Sequence, residues 1–156
     1  MKVGEKAPEF CLPNRYAQKI CLKDFFGKWV VLYFFPKEPA PARIREAVDF
    51  SILLPKFEDL NAVVIGVSQD SLRSHYDFTA TSKMQIILLS DKNKDAIKKY
   101  GTWRERPLSG PIQSGIVRST FLINPGGNIV HIWENVRVDG HASEVLNTLK
   151  TIRKKK

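Results

Sequence analysis

The 156-residue sequence predicts an α/β fold, a mixed central sheet flanked by helices, on three observations. Continuously apolar runs at 29–35 and 62–67 read as strands buried on both faces. Segments with apolar residues at helical spacing alternate with those strands. A Pro-rich turn, Pro36-Lys-Glu-Pro-Ala40-Pro-Ala-Arg43-Ile-Arg45-Glu46, joins the first such strand to the first such helix. That layout turns backbone N–H groups and a helix N-terminus toward whatever sits in the turn.

Taken in order, Phe10-Cys-Leu12 and Ile20-Cys-Leu22 alternate in strand fashion around Pro13 to Ala17, an N-terminal β-hairpin. Asp24-Phe-Phe-Gly27 is a short turn into the strand 29–35. Ile44, Ala47, Val48 and Ile52 make a helix that ends near Leu54-Pro55, because proline withholds an N–H and disfavours the turn before it. Strand 62–67 is followed by a helix begun around Asp70-Ser71. Residues 84–89 form a third strand and 95–100 a short helix stopped by Gly101. Residues 102–114, with Pro107, Gly110 and Pro111, read as an irregular surface loop. Strands 116–123 and 128–133 flank Asn124-Pro-Gly-Gly127, a hairpin signal. Val145, Leu146, Leu149 and Ile152 stripe a last helix from about His141, with Asp139 as its N-cap. No repeat or low-complexity tract interrupts the order, so one domain over 1–156, of thioredoxin-like type, is expected.

Composition excludes several classes. A 43% hydrophobic and 26% charged chain is that of a soluble globular protein. The longest apolar run is far short of a bilayer span, and the N-terminus has no apolar h-region, so a cytoplasmic protein without membrane contact is expected. The net charge of +9 is scattered apart from the tail Arg153-Lys-Lys-Lys156 and the 92–99 group. No aromatic residues interleave with the basic ones, so nucleic acid is not expected as a partner. Cys11 and Cys21 stand ten positions apart, neither CxxC nor a zinc spacing. His75, His131 and His141 stand singly and read as surface or cap residues. No metal and no cofactor are expected.

The sequence carries no GxGxxG, GxxxxGK[ST], HExxH or GxSxG, so the strand–turn–helix at 35–43 is the remaining seat of chemistry. Around it, Val3-Gly-Glu-Lys-Ala-Pro-Glu-Phe10, Val31-Leu-Tyr-Phe-Phe-Pro-Lys37, 57–71, Leu89-Ser-Asp91, Val117-Arg-Ser-Thr-Phe-Leu-Ile123 and Val138-Asp-Gly-His141 agree in order and spacing with one family. The chain resembles the peroxiredoxins, in the Q or bacterioferritin-comigratory subfamily, over nearly its whole length. The resemblance implies a thioredoxin-like fold of peroxiredoxin type and antioxidant, thiol-dependent reduction of hydroperoxides. A thiolate attacks the O–O bond, becomes a sulfenic acid and is resolved by a second thiol. Such enzymes draw electrons from a thioredoxin-type donor and occur as monomers or homodimers.

The family's pattern is Pro-x3-Thr-x2-Cys with an Arg from a later strand. By the resemblance, Pro36 matches the Pro and Arg118 the later Arg, while Glu46 and Asp49 match acidic positions of the helix. The departures fall on the chemistry. Ala40 stands at the Thr position, Arg43 at the peroxidatic Cys position, and Val48 where many members keep a resolving Cys. Arginine is never a nucleophile in proteins, so a pseudoenzyme without ordinary peroxidase turnover is expected.

Two further readings accompany that one. Cys11 and Cys21 fall on one face of the hairpin, opposite Phe10, Leu12, Ile20 and Leu22. Directly paired residues have Cβ atoms roughly 4.5–5.5 Å apart, so a structural or redox-sensing disulfide competes with the plainer reading of two half-exposed thiols in a reducing cytosol. A relocated peroxidatic thiol is least supported, since neither Cys sits at a helix N-terminus or beside an evident cationic cluster. If the fold is kept, Arg43 and Arg118 converge at a helix N-terminus with nothing anionic to replace a thiolate, and a bound small anion or hydroperoxide-like ligand follows. The plainer alternative is that Arg43 turns to solvent or pairs with Glu46 or Glu38.

Overall fold

The computed structural model describes residues 1–37, 40–71, 86–104 and 115–154. Along the described chain run β1 (Cys11–Pro13), β2 (Lys19–Cys21), a 3-10 turn at Leu22–Phe25, β3 (Trp29–Phe34), α1 (Ala40–Asp59), β4 (Ala62–Ser68), β5 (Ile87–Ser90), α2 (Asp95–Lys99), β6 (Trp103–Arg104), β7 (Gly115–Ile116), β8 (Ser119–Ile123), β9 (Ile129–Trp133) and α3 (His141–Lys154). Five of the strands make one sheet in the order β5-β4-β3-β8-β9. The β3–β4 and β4–β5 pairs are parallel, and the β3–β8 and β8–β9 pairs are antiparallel. The sheet is mixed, as the alternation of buried strands and helices predicts.

Period-two alternation divides the core. Trp29, Val31, Tyr33 and Phe35 face one layer, where Ala47, Phe50 and Phe57 of α1 and Val145, Leu146 and Leu149 of α3 pack. Val30, Leu32 and Phe34 face the other, against Phe10 and Leu12, Leu22, and Ala96 and Ile97 of α2. A strand covered on both faces has no polar side to alternate, which is why the run from Trp29 is apolar throughout.

Four boundaries differ from expectation. Helix α1 continues through Pro55 to Asp59. Phe57 is fully buried with its ring centroid 6.0 Å from that of Phe50, and that packing outweighs the hydrogen bond a proline removes. The expected strand 116–123 is split: β7 pairs with β6, β8 joins the main sheet, and Val117 and Arg118 lie between them. The loop expected at 102–114 therefore opens as strand at Trp103–Arg104. Asp139 does not open α3. Gly140, at φ 75°, supplies the carbonyl that accepts the Glu144 N–H, while the Asp139 carboxylate takes the Arg45 Nη2 donor at 2.7 Å.

The helix expected from 70–71, the start of the third strand at 84–85, the 105–114 stretch, Glu38, His75 and the last two lysines lie outside the described residues. Among those described, no helix is long and apolar enough to cross a membrane.

Candidate active site at the carboxyl edge of the sheet

The sheet register gathers the site. Phe34 of β3 is paired with Val67 of the parallel strand β4 and with Ser119 of the antiparallel strand β8. The carboxyl ends of β3 and β4 and the amino end of β8 therefore meet at one edge. Pro36 follows β3 on the way into α1, while Asp70 follows β4 and Arg118 precedes β8, so two further chain segments deliver polar residues to the first turns of α1. Open α/β sheets place their functional groups at such carboxyl edges.

Two ion pairs cross the site. Arg43 Nη1 donates to Asp70 Oδ2 at 3.0 Å, with side chains 14% and 6% exposed. Arg118 Nη1 donates to Glu46 Oε1, and that carboxylate is 1% exposed. Asp70 is itself fixed: its N–H donates to Ser68 Oγ at 3.1 Å, and its carbonyl accepts from Ser90 Oγ. Arg43 thus turns inward, neither to solvent nor to Glu46, and Glu46 is bound by Arg118. Each guanidinium of the pair holds a carboxylate through one nitrogen.

Behind the pairs lies a buried polar cluster. Tyr33 OH, Glu46 Oε2 and Arg118 Nη2 are buried, and none has a hydrogen-bond partner among the described residues. The Tyr33 ring stacks on Phe50 at 4.9 Å. Burial, and then the neighbouring Glu46 carboxylate, push the Tyr33 hydroxyl well above the usual phenol range. Burial likewise raises the Glu46 carboxyl to about 7, against the pull of Arg118. Desolvation penalises a charge even where a partner stands beside it. His141 Nε2 meets Thr120 Oγ1 at 2.8 Å, and burial lowers the imidazole to about 4. This histidine is core, not surface. His131 is half-buried beside Trp133, ring centroids 4.2 Å apart.

The other expected site residues are placed as follows. Ala40 is the first residue of α1 and brings no side-chain donor to the turn. Val48 packs against the core between the sheet and the helices. Cys11 and Cys21 face each other across the hairpin and are joined as a disulfide, so they are not two half-exposed thiols. Cys11 is exposed and Cys21 is 3% exposed. Cys11 also lines a surface depression with Lys92, Lys94, Lys98 and Lys99, so a cationic surround does exist beside it. Among the described residues, no group of three or more His, Cys, Asp or Glu side chains is placed to hold a metal ion.

Sequence reasoning missed Asp70, Tyr33, Thr120 and the inward His141. The signal for Asp70 was present, an acidic residue directly past a buried strand. The tyrosine carried no signal, because a Tyr within an apolar run reads as core.

A mixed five-stranded sheet with α1 launched from the end of β3 and an arginine presented ahead of β8 is a thioredoxin-like fold of peroxiredoxin type. The AhpC/TSA family model matches residues 3–132, and the chain belongs to that family, in its Bcp and peroxiredoxin Q branch. It is 44% identical over 149 residues to a putative peroxiredoxin Bcp of Helicobacter pylori, covering 96% of this chain and 98% of that one. Its structure is similar to that of a PrxQ mutant from Xylella fastidiosa, with a TM-score of 0.91 and 38% identity over 98% of each chain. It is also similar to the bacterioferritin comigratory protein of Xanthomonas campestris, described for its alkyl peroxide reduction activity. There the TM-score is 0.86 at 37% identity, over 91% of this chain and 90% of that one.

Proposed function

We propose that this chain is a single-domain, peroxidase-silent member of the AhpC/TSA family, a scaffold whose reactive position is filled by Arg43. The observation that carries the reading is the inward ion pair of Arg43 with Asp70. It seats a guanidinium, which cannot attack an O–O bond, at the first turn of α1. Ala40 at the head of that helix adds no hydroxyl to hold a peroxide. Pro36, Arg118 and Glu46 keep the surround of such a site without its nucleophile.

A peroxide-consumption assay with dithiothreitol tests it. No turnover above buffer is expected from the native chain or from a Cys11→Ala/Cys21→Ala variant. Hydroperoxide consumption by that cysteine-free variant would overturn the reading. The double substitution Arg43→Cys with Ala40→Thr is expected to recover thiol-dependent consumption, since the sheet edge, Arg118 and Glu46 would stand as before.

The Cys11–Cys21 disulfide favours a second reading, a redox pair away from the sheet edge. In a cytoplasmic setting thiols are kept reduced, and a disulfide that forms there is a reversible one. Electrons would then come from a thiol donor, of thioredoxin type or smaller. Native turnover that disappears in the Cys11→Ala variant would support this reading and assign the activity to the hairpin.

A further inference from the structure

Resting on that second reading, we propose that the Cys11–Cys21 disulfide exchanges selectively with small thiols that carry carboxylates, taken up in the lysine-lined depression onto which Cys11 opens.

The hairpin register makes the two sulfurs unequal. Cys11 is exposed and Cys21 is buried, so an incoming thiolate reaches the Cys11 side. Cys11 lines an open depression of about 990 Å³ together with Lys92, Lys94, Lys98 and Lys99, room for a small molecule rather than a flat contact. Two acidic residues share the wall, Asp91 and Asp95. The Asp91 carboxylate is turned inward onto the N–H groups of Asp95 and Ile97. Asp95 pairs with Lys99 at 3.4 Å. Lys94 lies over the Trp103 ring, 4.1 Å from its centroid, which leaves its charge in place. Lys92 and Lys98 have no ion pair among the described residues. Among the described residues, four cations against two carboxylates leave the depression net positive, with Lys92 and Lys98 on its wall.

The exchange balances as two displacements. A thiolate attacks Cys11 Sγ, forms a mixed disulfide with it and expels the Cys21 thiolate, which takes a proton from solvent. A second thiolate attacks the ligand sulfur of the mixed disulfide, forms the ligand disulfide and expels the Cys11 thiolate. Two electrons pass from two thiols to the pair. The lysines act twice, by concentrating an anionic thiol and by stabilising the Cys11 thiolate that leaves last.

The test is the rate at which the oxidised full chain is reduced by 3-mercaptopropionate, 2-mercaptoethanol and cysteamine. Free thiols are trapped by alkylation, and each rate is divided by the rate of the same thiol with a neutral small-molecule disulfide, which removes its thiolate fraction and intrinsic nucleophilicity. At low salt the anionic thiol is expected to exceed the cationic one by about tenfold, from two unit charges acting at several ångströms through water. The ratio should fall toward one at 0.5 M salt. Lys92→Glu with Lys98→Glu, both on the exposed wall, is expected to reverse the order. Equal normalised rates for the three thiols at low salt would overturn the selectivity while leaving an exchangeable pair. A disulfide that none of the three reduces in the native fold would overturn the redox pair itself.

Discussion

Arg43 on the first turn of α1 and Asp70 just past β4 hold each other, Nη1 to Oδ2 at 3.0 Å, and both side chains are largely out of solvent. The pair ties the first turns of α1 to the end of β4. Removing the Asp70 charge takes one charge-assisted hydrogen bond from a largely buried guanidinium, a loss of about 1.5–3 kcal/mol. Asp70→Asn is therefore expected to lower the unfolding free energy by about that amount in urea titrations. Arg43→Met, with Asp70→Asn in the same chain, should recover part of the loss. If the double variant were no more stable than the sum of its singles, the two side chains would not be coupled.

The buried acid and the buried imidazole predict opposite pH responses. Glu46 is raised from 4.5 to about 7, so the folded state holds its proton more tightly, and that stabilisation is present below pH 4.5 and lost as pH rises to 7. His141 is lowered from 6.5 to about 4, so its contribution is present above pH 6.5 and lost as pH falls to 4. The two slopes oppose each other between pH 4.5 and 6.5. Relative to the parent, Glu46→Gln should gain stability as pH rises through this window, and His141→Gln should lose it. One group shifted in this way contributes at most about 1.4 kcal/mol per pH unit. Unfolding free energies that stay parallel to the parent from pH 4.5 to 7 would contradict both shifts.

Gly66 is a steric requirement of the site. A Cβ there would lie 2.7 Å from Tyr33 Cζ and 2.9 Å from Leu88 Cδ2, inside van der Waals contact. Both neighbours are fully buried and have no slack. Gly66→Ala is expected to cost about 1–3 kcal/mol and to disturb the ring stacked between β4 and Phe50. Near-ultraviolet circular dichroism of the tyrosine band would report that movement, and an unchanged band and melting temperature would refute it.

The hairpin disulfide closes a short loop, and cross-linking of this length removes about 2–3 kcal/mol of unfolded-chain entropy. Reduction with a phosphine, or Cys11→Ser with Cys21→Ser, is expected to lower the midpoint of thermal unfolding by several degrees. The sheet-edge ion pairs should survive, because Phe10, Leu12 and Leu22 still pack on the core. An unchanged midpoint would mean that the pair has no stabilising role.

Much of the molecule is legible in the chain. The apolar run from Trp29 and the stripes of the first and last helices specify a buried sheet and its two covering layers, because side-chain period and burial are local properties. The end of α1 is misread for the opposite reason: a proline reads as a stop locally, and only the burial of Phe57 carries the helix past it. The absence of a thiol at 43 and of a hydroxyl at 40 is likewise plain from the residues alone.

The partners of those residues are not. Arg43 meets Asp70 across 27 positions and Arg118 meets Glu46 across 72. Cys11 meets lysines some eighty positions on. Each encounter depends on strand order and register, which place segments distant in sequence at one edge of the sheet or one wall of a depression. Residue identity determines which chemistry each side chain can perform. Which charges surround it, and how much water they are denied, is decided by the tertiary structure, because electrostatic energy depends on distance in space and on burial.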